Sequence, residues 1–317
     1  MEDTKTKGSR NVLRLAAAPD DISKRLDIFA AEGAGFTRSH TQKLIRDGQI
    51  LVNGKLESPG YKVKNADTIE VSLPAQSDSS LVPEALPLTI LFMDEYLAVI
   101  DKPAGMVVYP AAGHSGGTLM NALAYHAPKL ASIGGDLRPG VVHRIDKETS
   151  GTIVVALDDA AYYNLVEQFR KRSLQRKYIV LVSGLIKNDS GEIDLAIGRS
   201  DSDRKKMSTR TKRGKEAVTR WKVLRRLNKA TLIEARLGTG RTHQIRVHFA
   251  AIGHPVLGDS TYGKKTEVEI KGRKIHFPRQ MLHAETLGFD HPHTGQFMEF
   301  SAPVPDDMKE CIEKLSL

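Results

Sequence analysis

The chain is nearly without cysteine. Cys311 is the only one in 317 residues, which excludes an intramolecular disulfide framework and any cysteine-cluster metal site. It also fits a reducing compartment. Long apolar runs are missing too: no uncharged stretch approaches the roughly 20 residues of a membrane-spanning helix. The N-terminal 21 residues carry acids, and Arg14 interrupts the apolar patch at 12–18, so the segment makes a poor signal or transit peptide. A cytoplasmic protein with no membrane partner is expected.

Several catalytic vocabularies are absent as well. There is no Gly-x-Ser-x-Gly elbow and no His-Glu-x-x-His. Residues 258–265 approach a phosphate-binding loop, but Lys265 stands where Ser or Thr must hold magnesium. His243 and His248 are five apart, off the i, i+4 face that would chelate an ion. No metal is expected.

What is present is positive charge. Lys and Arg number 47 against 38 acids, and the excess is local: residues 199–226 hold twelve Lys/Arg and three acids, while the remainder of the chain is balanced. Such a segment, with Arg204, Lys205 and Lys206 at its centre, suits a docked polyanion; alone, it reads equally as a solvated loop.

The length suggests about two domains. Residues 1–20 are polar and read as a mobile tail, and residues 21–74 as a small module. Ser23 is placed to N-cap a helix with Leu26, Phe29 and Ala30 on one face. Ser39 begins a second, with Gln42 at the capping-box position, Leu44 and Ile45 inward, and Gly48 as its stop. Residues 50–52 form a strand ending in the turn signal Asn53-Gly54, and residues 68–73 alternate as its return strand. The polar helix positions are mostly basic (Lys24, Arg25, Arg38, His40, Lys43, Arg46) and could form one cationic face. Residues 75–87, rich in Ser, Pro and Ala, read as a linker.

Residues 88–317 form the larger domain. Strands are expected at 88–93, 97–100, 141–142, 152–157, 178–182, 193–197, 218–224 and 231–237. Helices are expected at 118–126, at 158–172 behind an Asp158 cap, and at 242–252 behind a Thr242 cap. A last hairpin turns at 291–295. Strands outnumber crossover helices, so the fold class is α+β: a mixed, largely antiparallel sheet with flanking helices, not a doubly wound parallel sheet.

Two segments gather chemistry. In Gly140-Val141-Val142-His143-Arg144-Ile145-Asp146 an apolar strand runs into a cation and a carboxylate. In Gly238-Thr239-Gly240-Arg241-Thr242-His243-Gln244-Ile245-Arg246 glycines lead into a helix start that carries arginines and could hold a phosphate or carboxylate. From chemistry alone, a structural Asp146–Arg246 pair weighs as much as a functional one.

These segments resemble two signatures of the RluA family of pseudouridine synthases. Asp101-Lys102-Pro103-Ala104-Gly105-Met106, Arg176-Lys177-Tyr178 and Gly253-His254-Pro255-Val256-Leu257-Gly258-Asp259 match the same family in the expected order, over about residues 88–303. Ile145 replaces the commoner Leu, and Val180 stands where a small residue is usual; neither touches a reacting group. Arg25-Leu26-Asp27, Arg38-Ser39 and Val52-Asn53-Gly54-Lys55 resemble the S4-type RNA-binding domain. With that domain in front, the chain is most similar to the branch acting on large-subunit ribosomal RNA.

The resemblance implies a pseudouridine synthase fold and an RNA isomerase needing no cofactor. The reaction breaks the N1–C1′ bond of a uridine, turns the base and joins C5 to C1′. Asp146 would be the catalytic carboxylate, as nucleophile or base. Arg246 would pair with it and keep it ionised. Tyr178 would stack on the base and assist loss of the C5 proton, and Ile245 would wall the pocket. Arg144 would fill the space left by the flipped uridine. Arg241 and the basic segment, with Lys24, Arg25, Arg38, Lys43 and Arg46 of the small module, would hold the backbone of the RNA. The expected partner is large-subunit ribosomal RNA, free or in a pre-ribosomal particle, bound by a monomer. The competing readings are a noncatalytic RNA-binding factor of ribosome assembly and a synthase acting on transfer RNA.

Overall fold

The computed structural model describes residues 12–34, 38–72, 81–111, 113–203, 205–264 and 266–317, and of residues 12, 39, 40 and 43 only the backbone. The chain divides into two compact units, Met1–Ser79 and Ser80–Leu317.

In the first unit, strands β1 (Val12–Ala16), β2 (Ile50–Val52) and β3 (Thr68–Ser72) form an antiparallel sheet in the order β1-β3-β2. Helices α1 (Leu26–Ala34) and α2 (Arg38–Arg46) pack on it through Leu26, Phe29, Leu44 and Ile45, which meet Ile50, Ile69 and Val71 in one apolar cluster. Asn53 and Gly54 both have positive φ (48° and 75°), the backbone the turn signal requires.

Three expectations change here. Residues 12–16 are not tail but strand: Arg14, which breaks the apolar run, points outward to Glu70, while Leu15 packs on the core. Ser23 lies in left-handed backbone (φ 69°) three residues ahead of Leu26 and does not cap α1. α2 begins at Arg38, before Ser39, and Gln42 donates to Asp27 across the unit instead of closing a capping box.

The second unit is built on a nine-stranded sheet. Its strands are β4 (Thr89–Met93), β5 (Leu97–Lys102), β6 (Ser150–Ala156), β7 (Gln175–Ser183), β8 (Ser190–Asp194), β11 (Val218–Leu227), β12 (Ala230–Leu237), β15 (Leu282–Asp290) and β16 (Phe297–Ser301). The order is β4-β5-β6-β15-β7-β12-β11-β8, with β16 paired to β15. Every pairing is antiparallel except β6 with β15. The expected mixed, largely antiparallel sheet is therefore present. Two ribbons stand apart from it, β9 (Gly198–Arg199) with β10 (Met207–Ser208), and β13 (Glu267–Ile270) with β14 (Arg273–His276).

Helices cover both faces, which is why the central strands read as continuous apolar runs. Alternate residues of β6 divide between α3 (Leu119–His126), met by Ile153 and Val155, and α4 (Asp159–Lys171), met by Val154 and Ala156. Alternate residues of β7 divide in the same way: Val180 and Val182 pack on α5 (Gln244–Ala251), and Ile179 and Leu181 on α6 (Asp306–Ser316). Asp158 caps α4 by accepting from the Ala160 and Ala161 N–H groups. Thr242 does not cap α5. The helix starts at Gln244, and His243 occupies the cap position in left-handed backbone (φ 57°) with no side-chain cap bond. Residues 141–142 make a single bridge, Val141 to Val155, and not a strand. β8 ends at Asp194, short of the expected 197, and α6 and the two ribbons lie outside the sequence reading.

Candidate active site

The loop ahead of β6 is fixed residue by residue. Gly140 has φ 71°, and a Cβ there would sit 1.9 Å from the Ala156 carbonyl oxygen, so only glycine lets the chain pass. His143 stacks on Phe169 at 4.6 Å between ring centroids, and its Nε2 accepts the Val154 N–H at 3.0 Å. Burial, and the Arg176 guanidinium nearby, push this imidazole down to about 3, so it stays neutral and keeps its acceptor.

Past Asp146 the loop is held from two sides. Lys102 is fully buried, and its ammonium donates to the carbonyls of Pro103 (2.7 Å), Met106 (2.9 Å) and Lys147 (3.1 Å). Three N–H donors meet three acceptors with no carboxylate in contact; burial pushes this lysine down to about 7. On the other side Arg279 forks onto Asp307 of α6 at 2.7 and 2.9 Å and donates to the Glu148 carbonyl at 3.1 Å. Gln280 donates to the Thr149 hydroxyl at 2.7 Å. Asp146 thus stands on a loop with little freedom.

Its carboxylate Oδ2 accepts from Arg246 Nη1 at 2.9 Å, and the side chain keeps 18% of its exposure. Arg246, on the first turn of α5, is 8% exposed and serves two acids. Its Nε and Nη2 fork onto Asp259 at 2.7 and 3.0 Å, and Asp259, fully buried, also accepts the Thr261 and Tyr262 N–H groups. The Tyr262 ring lies under the guanidinium at 5.1 Å. His243 Nε2 is 3.8 Å from Asp146 Oδ1, and its Nδ1 shares a 2.8 Å hydrogen bond with the Tyr262 hydroxyl. That hydroxyl accepts the Met207 N–H at 2.9 Å, which ties ribbon β9–β10 to the site. Burial lowers the His243 pKa against the pull of Asp146.

Asp146 and Arg246 open onto a cavity of about 520 Å³, a size suited to a small ligand or one nucleotide. Tyr178 and Ile245, both buried, line it. The Tyr178 hydroxyl has no hydrogen-bond partner among the described residues, and burial raises its pKa, so it is a neutral phenol. Arg144 lies at the rim, exposed, with its guanidinium 5.9 Å from the Tyr109 ring centroid and Nη1 3.4 Å from that hydroxyl. Arg241 borders the cavity and donates to the Glu216 carbonyl at 3.0 Å. Thus Asp146, Tyr178, Arg246, Arg144, Ile245 and Arg241 come together at one cavity. A second, open hollow of about 570 Å³ shares Arg144, Asp146 and Arg246 with it.

The other basic residues are placed differently. Lys205 is exposed between β9 and β10 and Lys206 pairs with Asp203 at 3.7 Å; neither borders the cavity. Arg204 lies outside the described residues. The basic segment does not act as one block, because on β11 Arg220, Lys222 and Arg226 pair with Glu192, Glu234 and Asp189. Outside the basic segment, Arg170 and Arg172 at the end of α4 and Arg176 on β7 also border the cavity.

In the first unit the expected cationic face is partly neutralised. Arg25 and Arg38 both donate to Asp27, a fully buried carboxylate that these contacts and Gln42 hold far below the usual range. Lys24 pairs with Asp21 and Glu32. Arg46 is exposed; the side chains of His40 and Lys43 lie outside the described residues.

Lys102, Arg176, Asp259, His243, Tyr262 and Arg279 carry as much of the site as the residues singled out from sequence. Lys102, Arg176, Asp259 and His243 stand inside the matched motifs, so the signal was there, but not the partner each would meet. Among the described residues no group of three or more His, Cys, Asp or Glu side chains is arranged to hold a metal, and no helix is long and apolar enough to cross a membrane.

A model of the RNA pseudouridylate synthase family matches residues 96–251, and one of the S4 domain matches residues 24–69. The chain is 44% identical over 306 residues to an uncharacterized RNA pseudouridine synthase of Bacillus subtilis, covering 96% of this chain and 98% of that one. It is 45% identical over 302 residues to the ribosomal large subunit pseudouridine synthase D of Zymomonas mobilis, covering 93% and 95%. Among solved structures, human RNA pseudouridylate synthase domain containing 1 superposes with a TM-score of 0.57 at 29% identity, covering 72% of this chain and 89% of that one.

Proposed function

The chain belongs to the RNA pseudouridine synthase family, and from that premise we propose that it isomerises uridines of large-subunit ribosomal RNA, with Asp146 as its catalytic carboxylate. That the activity is pseudouridine formation on RNA follows from the family; the substrate and the residue roles are the proposal. The observation that carries it is the 2.9 Å contact of Asp146 with Arg246 at the wall of a cavity of about 520 Å³, large enough for one nucleotide.

Bond breakage at C1′ leaves positive charge on the sugar. An ionised carboxylate beside it stabilises that charge and can attack the sugar or remove a proton from it. Arg246 supplies the counter-charge and a directed hydrogen bond that orient this carboxylate. The target base must first leave its stack, at a cost of a few kcal/mol. Arg144 is exposed at the rim, its contacts among the described residues are to Tyr109, and it would swing into the vacated space. Tyr178 then meets the base with a neutral hydroxyl near C5. The S4 unit provides a second grip on the RNA, and two linked sites raise avidity.

Tritium release from C5-labelled uridine tests the substrate. Large-subunit ribosomal RNA is expected to release label, and transfer RNA not. Release from transfer RNA alone would move the assignment, and no release from any RNA would favour a noncatalytic assembly factor.

A further inference from the structure

Arg176 opens β7 two residues before Tyr178 and borders the cavity beside it. Its surroundings differ from those of the other arginines there. Arg246 has two carboxylates, and Arg170 and Arg172 are exposed and paired with Glu167 and Glu216. Arg176 pairs with no acid among the described residues. Its Nε is buried without a hydrogen-bond partner, and its Nη2 reaches the Leu237 carbonyl only at 3.4 Å. The Phe169 ring lies 5.6 Å from its guanidinium carbon. Gly240 leaves it room: a Cβ there would fall 2.8 Å from Nη1. Burial draws the guanidinium pKa below its usual range.

A guanidinium cannot shed its charge in a protein, and burying it without a counter-charge is strongly unfavourable. A fold can carry that cost where something that binds supplies the negative charge. The reaction proposed above supplies one at this depth. When the N1–C1′ bond breaks, its electron pair stays with the uracil, and the charge spreads from N1 onto O2 and O4. Phosphates of the same nucleotide would instead meet the exposed Arg170 and Arg172, which border the same cavity.

We propose that Arg176 is a further catalytic residue: it donates a hydrogen bond to a carbonyl oxygen of the extruded uracil and holds the negative charge that collects there as the base departs. No proton passes from Arg176. When C5 gives its electron pair to C1′, the C5 proton is released and N1 takes one up, so the step needs no oxidant or reductant. This rests on the reading of Asp146 as the carboxylate acting at the sugar.

The test is an atom-by-atom cycle under single turnover. A short RNA carrying one uridine that the wild-type enzyme converts is made with uridine, 2-thiouridine or 4-thiouridine at that position, or with phosphorothioate beside it. Arg176→Gln is expected to slow conversion of uridine about 10²–10³-fold, the usual loss of one oxyanion donor, with RNA affinity changed less than about twofold. Sulfur in place of one uracil oxygen is expected to slow the wild type but to add little in Arg176→Gln, because the lost contact is shared. Arg176→Lys keeps the charge, is expected to recover part of the rate, and runs the same cycle should the Gln variant not fold. Additive penalties for both thiouracils, or coupling to phosphorothioate instead, overturn this role while leaving the Asp146 reading intact. A wild-type enzyme that converts no uridine overturns both.

Discussion

Asp259 grips Arg246 through two parallel hydrogen bonds, of 2.7 and 3.0 Å, and so leaves one guanidinium nitrogen aimed at Asp146. The planar fork is what allows a single side chain to be anchored by one acid while presenting to another. Breaking such a buried pair from one side leaves the other charge stranded. Asp259→Ala is therefore expected to lose about 3–5 kcal/mol of stability, read by denaturant unfolding, and to lose activity beyond what its folded fraction explains.

Lys102 links stability to alkaline pH. Its folded value is about 7 against an ordinary 10.5, so between those values the unfolded chain binds more protons and stability rises with pH. Unfolding measured at pH 7 and 8.5 should show the wild type gaining about 2 kcal/mol relative to Lys102→Met across that interval. A constant gap would mean that the lysine keeps its proton throughout.

His143 acts at the acid end. Its folded value is about 3 against 6.5, so the unfolded chain takes up the proton first and stability falls as pH drops below 6.5. Between pH 6.5 and 5 this one group should cost the wild type about 2 kcal/mol. In His143→Gln, which has no such proton to bind, that part of the acid slope should vanish in the same unfolding series.

The first unit separates two kinds of arginine. Arg46 is exposed, and Arg25 is committed to buried Asp27. RNA affinity should fall linearly with log salt, and Arg46→Ala should reduce the slope by about 0.7–0.9, the share of one phosphate contact, with the melting transition unmoved. Arg25→Ala should instead lower the melting transition, because Asp27 loses its principal partner.

The parts of this structure that were legible in the sequence are those whose signal is local. Alternation marked β3, the Asn53-Gly54 turn has the backbone its residues demand, and Asp158 caps α4 as expected. α6 was legible too, through Met308, Cys311 and Leu315 on one face, but went unread. What the sequence could not give was partnership. Arg14 looks like a break in an apolar run until Glu70 stands across from it on β3. Thr242 is a better cap residue than His243, yet the Tyr262 hydroxyl engages the His243 ring, and the chain takes the left-handed turn there. Arg25 and Arg38 read as free cations until both meet Asp27. The approach of Arg246 to Asp146 came from a family resemblance, and no periodicity encodes a contact between residues a hundred positions apart.

The central claim is that the Asp146 carboxylate, and not RNA binding alone, carries the reaction. It is tested most directly by tritium release from C5-labelled ribosomal RNA with wild-type protein and Asp146→Asn side by side, after filter binding shows equal RNA affinity. The account predicts stoichiometric release by the wild type and none above background by Asp146→Asn. Equal release by both would contradict it.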